Sequence, residues 1–201
     1  MSTQRLLVQP GGAVFLDRDG VISKQTAFVN RPEDLVFVEG AVEAIARLNR
    51  ARLLVVVITN QGGIAMDYLT EDDLAEIHHR MKWLLAQGGA HVDAIYYCPH
   101  HPQATVATYL VDCSCRKPAT GMLEEARDDL GIDLRKSVFV GDATTDVLAG
   151  IRAGCRTILV ETGFGGKDGK ATATPDHVVA DLGAAVDLIL GGSNPADTRA
   201  S

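Results

Sequence analysis

The sequence lacks any long hydrophobic run. Its longest strand-like apolar run covers Leu53–Ile58, which is far short of the ~18 residues needed to cross a membrane. The first residues, Met1–Arg5, do not provide the apolar segment of a signal peptide. These absences predict a cytoplasmic protein that has no membrane partner.

Basic residues are also scarce. Lys and Arg together number 19 against 26 Asp and Glu, which gives a formal net charge of −7. An acidic chain without a basic stripe offers no surface for polyanionic nucleic acid. Recognition of phosphate, if there is any, must therefore come from a few local side chains.

The rest of the composition is that of an ordinary globular protein. Hydrophobic residues make up 46% of the 201 residues and charged residues 22%, which suits one domain with a full core. We predict a single domain over residues 1–201, with an ordered core at about 11–190 and poorly ordered tails at 1–10 and 191–201. We expect it to be a monomer.

Short apolar runs alternate with helical patterns along the chain. Such alternation predicts an α/β fold, in which a parallel sheet is covered by helices on both faces. The predicted strands are Ala13–Leu16, Leu53–Ile58, Ala94–Tyr97, Val138–Val140 and Thr157–Val160. The predicted helices are Ala41–Asn49, a segment opening in a capping box at Thr70, Gly121–Leu130 and Thr145–Ala153.

Aspartates follow two of the predicted strands. Asp17 and Asp19 lie two residues apart after the first strand, and Gly20 lets the chain turn sharply. Asp17 is suited to attack phosphorus, while Asp19 can protonate the leaving alkoxide and later deprotonate the water that hydrolyses an aspartyl phosphate. After a later strand, Asp142 and Asp146 can complete an Mg²⁺ site with Asp17.

Other polar groups at the same sheet edge suit a phosphoryl group. The Thr59 hydroxyl and the backbone N–H groups around Asn60 and Gln61 are expected to hold its oxygens, and Arg116 and Lys117 to neutralise its charge. An isolated Asp-x-Asp-Gly is usually only a turn. Several motifs, each placed at a predicted strand end or before a helix, favour a catalytic site instead.

Cysteines and a histidine form a second cluster in the sequence. A reducing compartment disfavours disulfides, and a Cys-x-His pair followed by a Cys-x-Cys pair suits a closed, structural Zn²⁺ site. This zinc would tie together a loop insertion at 98–115 and fix the direction of the cations that follow it. The predicted ligands are Cys98, His100, Cys113 and Cys115, with His101 as an alternative ligand and Cys155 as a core residue.

The four motifs appear in one order: Asp17-x-Asp-Gly, Thr59-Asn, Lys117-Pro and Gly-Asp142-x-x-x-Asp. In this order they resemble the haloacid dehalogenase-like hydrolase superfamily. The resemblance implies an aspartyl-phosphate mechanism, with Asp17 as nucleophile, Asp19 as acid and base, and Thr59 and Lys117 on the phosphate. It also implies Mg²⁺ held by Asp17, Asp142 and the Asp19 backbone carbonyl.

Within that superfamily, the chain from about Ala13 to Thr162 looks like the D-glycero-D-manno-heptose 1,7-bisphosphate 7-phosphatase family. The likeness lies in Phe15-Leu-Asp-Arg-Asp-Gly, Ile58-Thr-Asn-Gln and the Cys-x-His and Cys-x-Cys segments. It implies a phosphorylated sugar as substrate, a three-layer Rossmann-like sheet of order 3-2-1-4-5, no large cap domain, and the zinc ligands named above. The substrate contacts would be Asp17, Arg18, Asp19, Thr59, Asn60, Gln61, Gly62, Arg116 and Lys117.

The chain departs from the family pattern at two places. The stretch Gln25–Phe28 differs from the usual residues, and Ala143 stands where some members carry a lysine. Both differences bear on the sugar, and they favour the α anomer over the β anomer. Histidinol-phosphate phosphatase, with a similar zinc loop, stays an alternative enzyme, and a non-catalytic zinc-stabilised binding module an alternative of another class.

Overall fold

The computed structural model describes residues 7–25 and 29–191. The part of the Gln25–Phe28 stretch at 26–28, and the predicted tails at 1–6 and 192–201, lie outside the described residues. Within the described residues, no helix is both long enough and apolar enough to span a membrane.

A six-stranded parallel sheet forms the centre of the fold. Its order is β3-β2-β1-β4-β5-β6, so the predicted order of the first five strands is confirmed. The strands are β1 (Ala13–Leu16), β2 (Leu54–Asn60), β3 (Ala94–Cys98), β4 (Val138–Gly141), β5 (Arg156–Val160) and β6 (His177–Val179). The sixth strand was missed because three residues at a sheet edge are too short to show a periodic pattern.

Helices cover both faces of the sheet. Along β1, Val14 and Leu16 pack into one core cluster with residues of the first, second and last helices, while Ala13 and Phe15 pack into the other with residues of the third and fourth. The helices are α1 (Ala41–Arg50), α2 (Glu71–Gln87), α3 (Gly121–Leu130), α4 (Thr144–Ala153) and α5 (Leu182–Ile189). The three-layer prediction is confirmed, and α5 is an addition to it.

The capping box predicted at Thr70 opens α2. The Asp73 N–H donates to the Thr70 hydroxyl oxygen at 3.1 Å, and the Thr70 N–H donates to the Asp73 carboxylate at 2.8 Å. Two N–H groups that the helix cannot satisfy internally are bonded in this way. The start of α2 is therefore fixed by local sequence.

The ordered structure begins before residue 11, contrary to the predicted boundary. Val8 is buried, the Leu7 N–H donates to the Ile189 carbonyl at 3.2 Å, and the Gln9 N–H donates to Lys136 at 3.0 Å. The missed helix α5 provides part of this docking surface. The sequence gives no sign of this order in segment 7–10, because its partners Lys136 and Ile189 are more than 120 residues away along the chain.

Candidate active site

Three carboxylates meet at the carboxyl edge of the sheet. Asp17 follows β1, Asp142 follows β4, and Asp146 lies in the first turn of α4. One carboxylate oxygen from each lies within 4.8 Å of the others. Gly20 has a φ of +86°, and a Cβ at this position would overlap Asp142. Glycine is therefore needed for the chain after Asp17 to turn close to the Asp142 carboxylate.

Lys117 is the counterion of this cluster. Its Nζ lies 3.0 Å from Asp17 Oδ1 and 2.8 Å from Asp146 Oδ1, and it donates to the Ile58 carbonyl at 2.8 Å. The side chain is only 2% exposed. A buried ammonium with two carboxylate partners keeps its charge, and both carboxylates raise the pKa of Lys117 against the effect of burial.

The three carboxylates share one lysine, and the pKa values of two of them are raised. Burial raises the pKa of Asp17 to about 7; Lys117 opposes the rise, and Asp146 and Asp19 add to it. Burial and the neighbours Asp17 and Asp146 raise the pKa of Asp142 to about 8. A hard divalent cation would relieve this repulsion, and carboxylate oxygens are the ligands that Mg²⁺ prefers. The donor set therefore fits Mg²⁺.

The Asp19 carboxylate lies outside that group of three. Its carboxylate accepts hydrogen bonds from Arg18 Nε at 3.1 Å and Nη2 at 2.7 Å, from Gln61 at 3.1 Å and from the Ser23 hydroxyl at 2.9 Å. Burial acts to raise the pKa of Asp19, but Arg18 and these hydrogen bonds lower it below its usual value. The residue is thus held as an anion, and only its backbone is left for the predicted metal contact.

Arg18 is buried beneath the site, with a residue exposure of 1%. Besides Asp19, its guanidinium donates to Gln61 Oε1 at 3.0 Å and lies 3.4 Å from His78 Nε2. Burial and the nearby Arg18 lower the pKa of His78 to about 3, so the imidazole is neutral and accepts from Arg18. The Arg18 backbone N–H donates to Asp17 Oδ1 at 2.7 Å, so neither this group nor the side chain is available for the predicted substrate contact in this arrangement.

His78 was missed in the sequence. It lies on α2, 60 residues from Arg18 in the chain, and it is one of two adjacent histidines, with no signal of which one faces inward. Only the packing of α2 into the core cluster that also contains residues of β1 brings the two side chains together. No pattern in the sequence would have paired them.

The residues after β2 are placed partly as predicted. Thr59 is buried and accepts from Gln61 Nε2 at 2.8 Å, which leaves its hydroxyl hydrogen for another acceptor. The expectation for the Gln61 backbone was wrong: its N–H donates to the Cys98 carbonyl at 2.8 Å. The pairing of β2 with β3 continues past Thr59, and it occupies the Gln61 N–H group.

Asn60 also differs from its predicted role. Its Nδ2 donates to the Lys117 carbonyl at 3.1 Å, and its Oδ1 accepts from the Lys117 N–H at 3.0 Å. Both polar atoms of the side chain are used to hold the backbone of the lysine. Asn60 therefore positions Lys117, and its side chain is not available to a ligand in this arrangement.

Four soft donors converge beside the carboxylates. Cys98, His100, Cys113 and Cys115 each offer one ligand atom, all within 4.8 Å of one another. Cys98 Sγ lies 3.1 Å from Cys115 Sγ and 3.6 Å from Cys113 Sγ, and His100 Nδ1 lies 3.3 Å from Cys115 Sγ. Three sulfurs and one imidazole nitrogen at these separations fit a tetrahedral Zn²⁺.

The other candidates for that cluster lie elsewhere. His101, the alternative ligand, accepts the Gln103 N–H on its Nδ1 at 3.1 Å and faces the catalytic cavity. Cys155 is buried in a core cluster, as predicted. Arg116 donates to the His100 carbonyl at 2.9 Å, so the cysteine and histidine loop fixes the direction of this cation.

A cavity of about 330 Å³ lies over the carboxylates. Its floor contains Asp17, Thr59, Lys117 and Asp142, and Gly62 and Arg116 line its wall. A Cβ at Gly62 would come within 3.3 Å of Arg116 Nη1, so the glycine lets the guanidinium approach. Further lining residues that the sequence did not single out are Met66, Tyr68, Leu69, Phe164 and Lys170.

Comparisons with known proteins agree with this geometry. The Hydrolase_like family model, described as "HAD-hyrolase-like", matches residues 114–185. The D-glycero-D-manno-heptose-1,7-bisphosphate 7-phosphatase of Thermosynechococcus vestitus is 43% identical over 188 residues, covering 90% of this chain and 96% of that protein. The D-glycero-beta-D-manno-heptose-1,7-bisphosphate 7-phosphatase of Vibrio cholerae is 46% identical over 152 residues, covering 75% and 82%.

A solved structure extends the agreement to the fold. The D,D-heptose 1,7-bisphosphate phosphatase from B. bronchiseptica, complexed with magnesium and phosphate, superposes with a TM-score of 0.80 at 38% identity. The match covers 89% of this chain and 98% of that one. With a relative 43% identical over nearly its whole length, the chain belongs to the D-glycero-D-manno-heptose 1,7-bisphosphate 7-phosphatase family of HAD-like hydrolases.

Proposed function

We propose that this chain is a phosphatase that removes the 7-phosphate of D-glycero-D-manno-heptose 1,7-bisphosphate, with Asp17 as nucleophile. The observation that carries the proposal is the Asp17 carboxylate on the cavity floor, 3.0 Å from Lys117 Nζ and grouped with Asp142 and Asp146. Relatives whose names specify this reaction support the choice of substrate.

In the first step, an Asp17 carboxylate oxygen attacks phosphorus. The bond between phosphorus and the sugar oxygen breaks, and the phosphoryl group is left on Asp17 as an acyl phosphate. Lys117 neutralises charge on the phosphoryl oxygens, and the Thr59 hydroxyl donates to one of them. The departing alkoxide takes a proton from Asp19, which must turn from Arg18 toward the leaving oxygen to give it.

In the second step, water attacks the acyl phosphate. Asp19 removes a proton from that water, phosphate leaves, and the Asp17 carboxylate is restored. The hydrogen bonds from Arg18, Gln61 and Ser23 hold Asp19 as an anion, which is the form that a base needs. The same network that supports the second step therefore opposes the acid role in the first.

The site takes Mg²⁺ through Asp17, Asp142 and the Asp19 backbone carbonyl, and the ion supplies positive charge against the crowded phosphoryl oxygens. Asp146 is better suited to positioning, because its carboxylate is paired with Lys117 at 2.8 Å and accepts the Ala143 N–H at 3.0 Å. The Asp142 carboxylate is oriented by the Phe164 N–H at 2.7 Å.

The cysteine and histidine cluster takes a structural Zn²⁺ in this proposal. All four of its donors come from protein side chains, which leaves no open position for substrate. Its part in the reaction is indirect, since Arg116 and Lys117 follow Cys115 directly. We place the reaction in the cytoplasm and take the chain to act as a monomer.

A substrate panel tests the proposal. The panel contains the α and β anomers of heptose 1,7-bisphosphate, fructose 1,6-bisphosphate and histidinol phosphate. We expect one of the two heptose bisphosphates to show the highest kcat/KM. Histidinol phosphate carries a cationic amine, which Arg116 and Lys117 repel. Between the anomers we expect the α form. A preference for histidinol phosphate would overturn the heptose assignment, whereas a preference for the β anomer would overturn only the choice of anomer.

A further inference from the structure

The loop between β5 and β6, residues 161–176, is fastened to the catalytic floor. The Thr162 hydroxyl donates to the Gly20 carbonyl at 2.6 Å. The Phe164 N–H donates to the Asp142 carboxylate at 2.7 Å, and the Gly166 N–H donates to the Asp142 carbonyl at 2.8 Å. The first half of this β5–β6 loop therefore has a defined position beside the cavity.

A second pair of hydrogen bonds fixes the loop farther along. Asp168 accepts from the Thr144 N–H at 2.9 Å and from the Thr144 hydroxyl at 3.0 Å. Lys170 follows two residues later, and its Nζ lies 5.6 Å from the centre of the Phe164 ring, within the range of a cation–π contact. Both Phe164 and Lys170 line the cavity, so the loop delivers an ammonium group to its rim.

The cations of the cavity fall into two groups. On the floor, Lys117 is paired with two carboxylates. At the rim, neither Arg116 nor Lys170 forms an ion pair within residues 7–25 and 29–191. His101 lines the same rim. Two cations at one rim without a carboxylate partner repel each other unless an anion lies between them.

We propose that Lys170 is a specificity-determining residue, which with Arg116 binds the second anionic group of the substrate. The inference rests on the proposed function and deepens it: the floor takes the phosphate that is transferred, and the rim takes the phosphate that is retained. Arg116 offers a planar fork for phosphate oxygens and Lys170 a point charge. The ligand class is therefore a sugar bisphosphate rather than a monophosphate.

The experiment compares two substrates and three variants. Heptose 1,7-bisphosphate and heptose 7-phosphate differ only in the second phosphate, so the ratio of their kcat/KM values isolates its contribution. Lys170→Ala is expected to lower that ratio about tenfold through KM of the bisphosphate, the effect of losing one charge-assisted contact, with kcat/KM of the monophosphate unchanged. Lys170→Arg should retain most of the ratio.

Lys167 provides the matched control. It is an exposed lysine of the same loop and does not line the cavity, so Lys167→Ala should leave the ratio unchanged. If Lys170→Ala retains the wild-type ratio, or lowers activity on both substrates equally, the inference is wrong while the proposed function stands. If the wild-type protein shows no preference for the bisphosphate, both are wrong.

Discussion

The two clusters at the sheet edge are built in different ways. In the carboxylate floor, Asp17 and Asp142 follow buried parallel strands, so the sheet itself sets their separation. In the cysteine and histidine cluster, Cys98 ends a strand but the other ligands lie on a long loop, and no residue from His101 to Asp112 is buried. The floor thus offers a cation three crowded carboxylates, whereas the loop offers one four converging donors.

The sharpest way to separate the two is to change the floor alone. Asp17→Asn is expected to lower kcat by about a thousandfold or more, because an amide does not form the acyl phosphate. The fold and the zinc content should not change, since the substitution is isosteric and removes one of several crowded buried charges. Steady-state phosphate release and elemental analysis on the same sample check both expectations. More than about a tenth of wild-type activity would exclude Asp17 as nucleophile.

The converse change affects the loop alone. Purified protein is expected to carry about one Zn²⁺ per chain, and a Cys113→Ser, Cys115→Ser double variant to lose it. We expect activity to fall roughly a hundredfold, because a displacement of about 1 Å in Arg116 or Lys117 has an effect of that size. The thermal transition should fall as well.

Cys155→Ser provides the control for this experiment, because Cys155 is a free cysteine outside the cluster. It should retain zinc in full. Zinc absent from freshly purified wild-type protein, or retained in full by the double variant, would disprove the ligand set.

The smallest expected effect concerns the support beneath the floor. His78→Leu removes the acceptor for Arg18 Nη1, so a buried donor is left unpaired, and we expect kcat to fall about tenfold with little change in KM. His78→Gln retains an acceptor and should recover most of the activity. Equal losses in both variants would show that His78 only fills space.

The pH dependence of the free energy of unfolding provides a second test of the environment of His78. Its pKa is lowered to about 3 in the folded protein from 6.5, so below the unfolded value the unfolded state binds the extra proton and stability falls. Between about pH 6.5 and pH 5 the wild-type protein should lose about 2 kcal/mol relative to His78→Gln. Unfolding in denaturant at both pH values measures this. The same difference in free energy of unfolding between the wild-type protein and His78→Gln at both pH values would contradict the prediction.

The floor was largely predictable from sequence, and the reason is local. Asp17 and Asp142 each follow a short apolar run directly, and the carboxyl ends of parallel strands meet at one edge. The ligand spacing of the second cluster is equally local, since Cys98 with His100 and Cys113 with Cys115 are two short pairs. Where a side chain's role depends on its nearest neighbours in the chain, the sequence shows it.

Most of the misses are long-range. His78 contacts Arg18, 60 residues away in the chain, and the Asn60 side chain bonds the backbone of Lys117. β6 and α5 pack at one end of the sheet. Only α5 leaves a periodicity in the sequence, since its buried residues Leu182, Ala185, Val186 and Ile189 have helical spacing. The sequence therefore predicted which groups meet at the sheet edge, but not which groups position them.

The most direct test of the account is detection of phosphate on Asp17. Asp19→Asn lacks the base for the second step, so with p-nitrophenyl phosphate, whose leaving group needs no proton from the enzyme, the acyl phosphate should accumulate. After a rapid quench, mass spectrometry of the peptide is expected to place the phosphoryl group on Asp17. An unmodified Asp17 peptide during turnover, or a phosphoryl group on another residue, would contradict the mechanism.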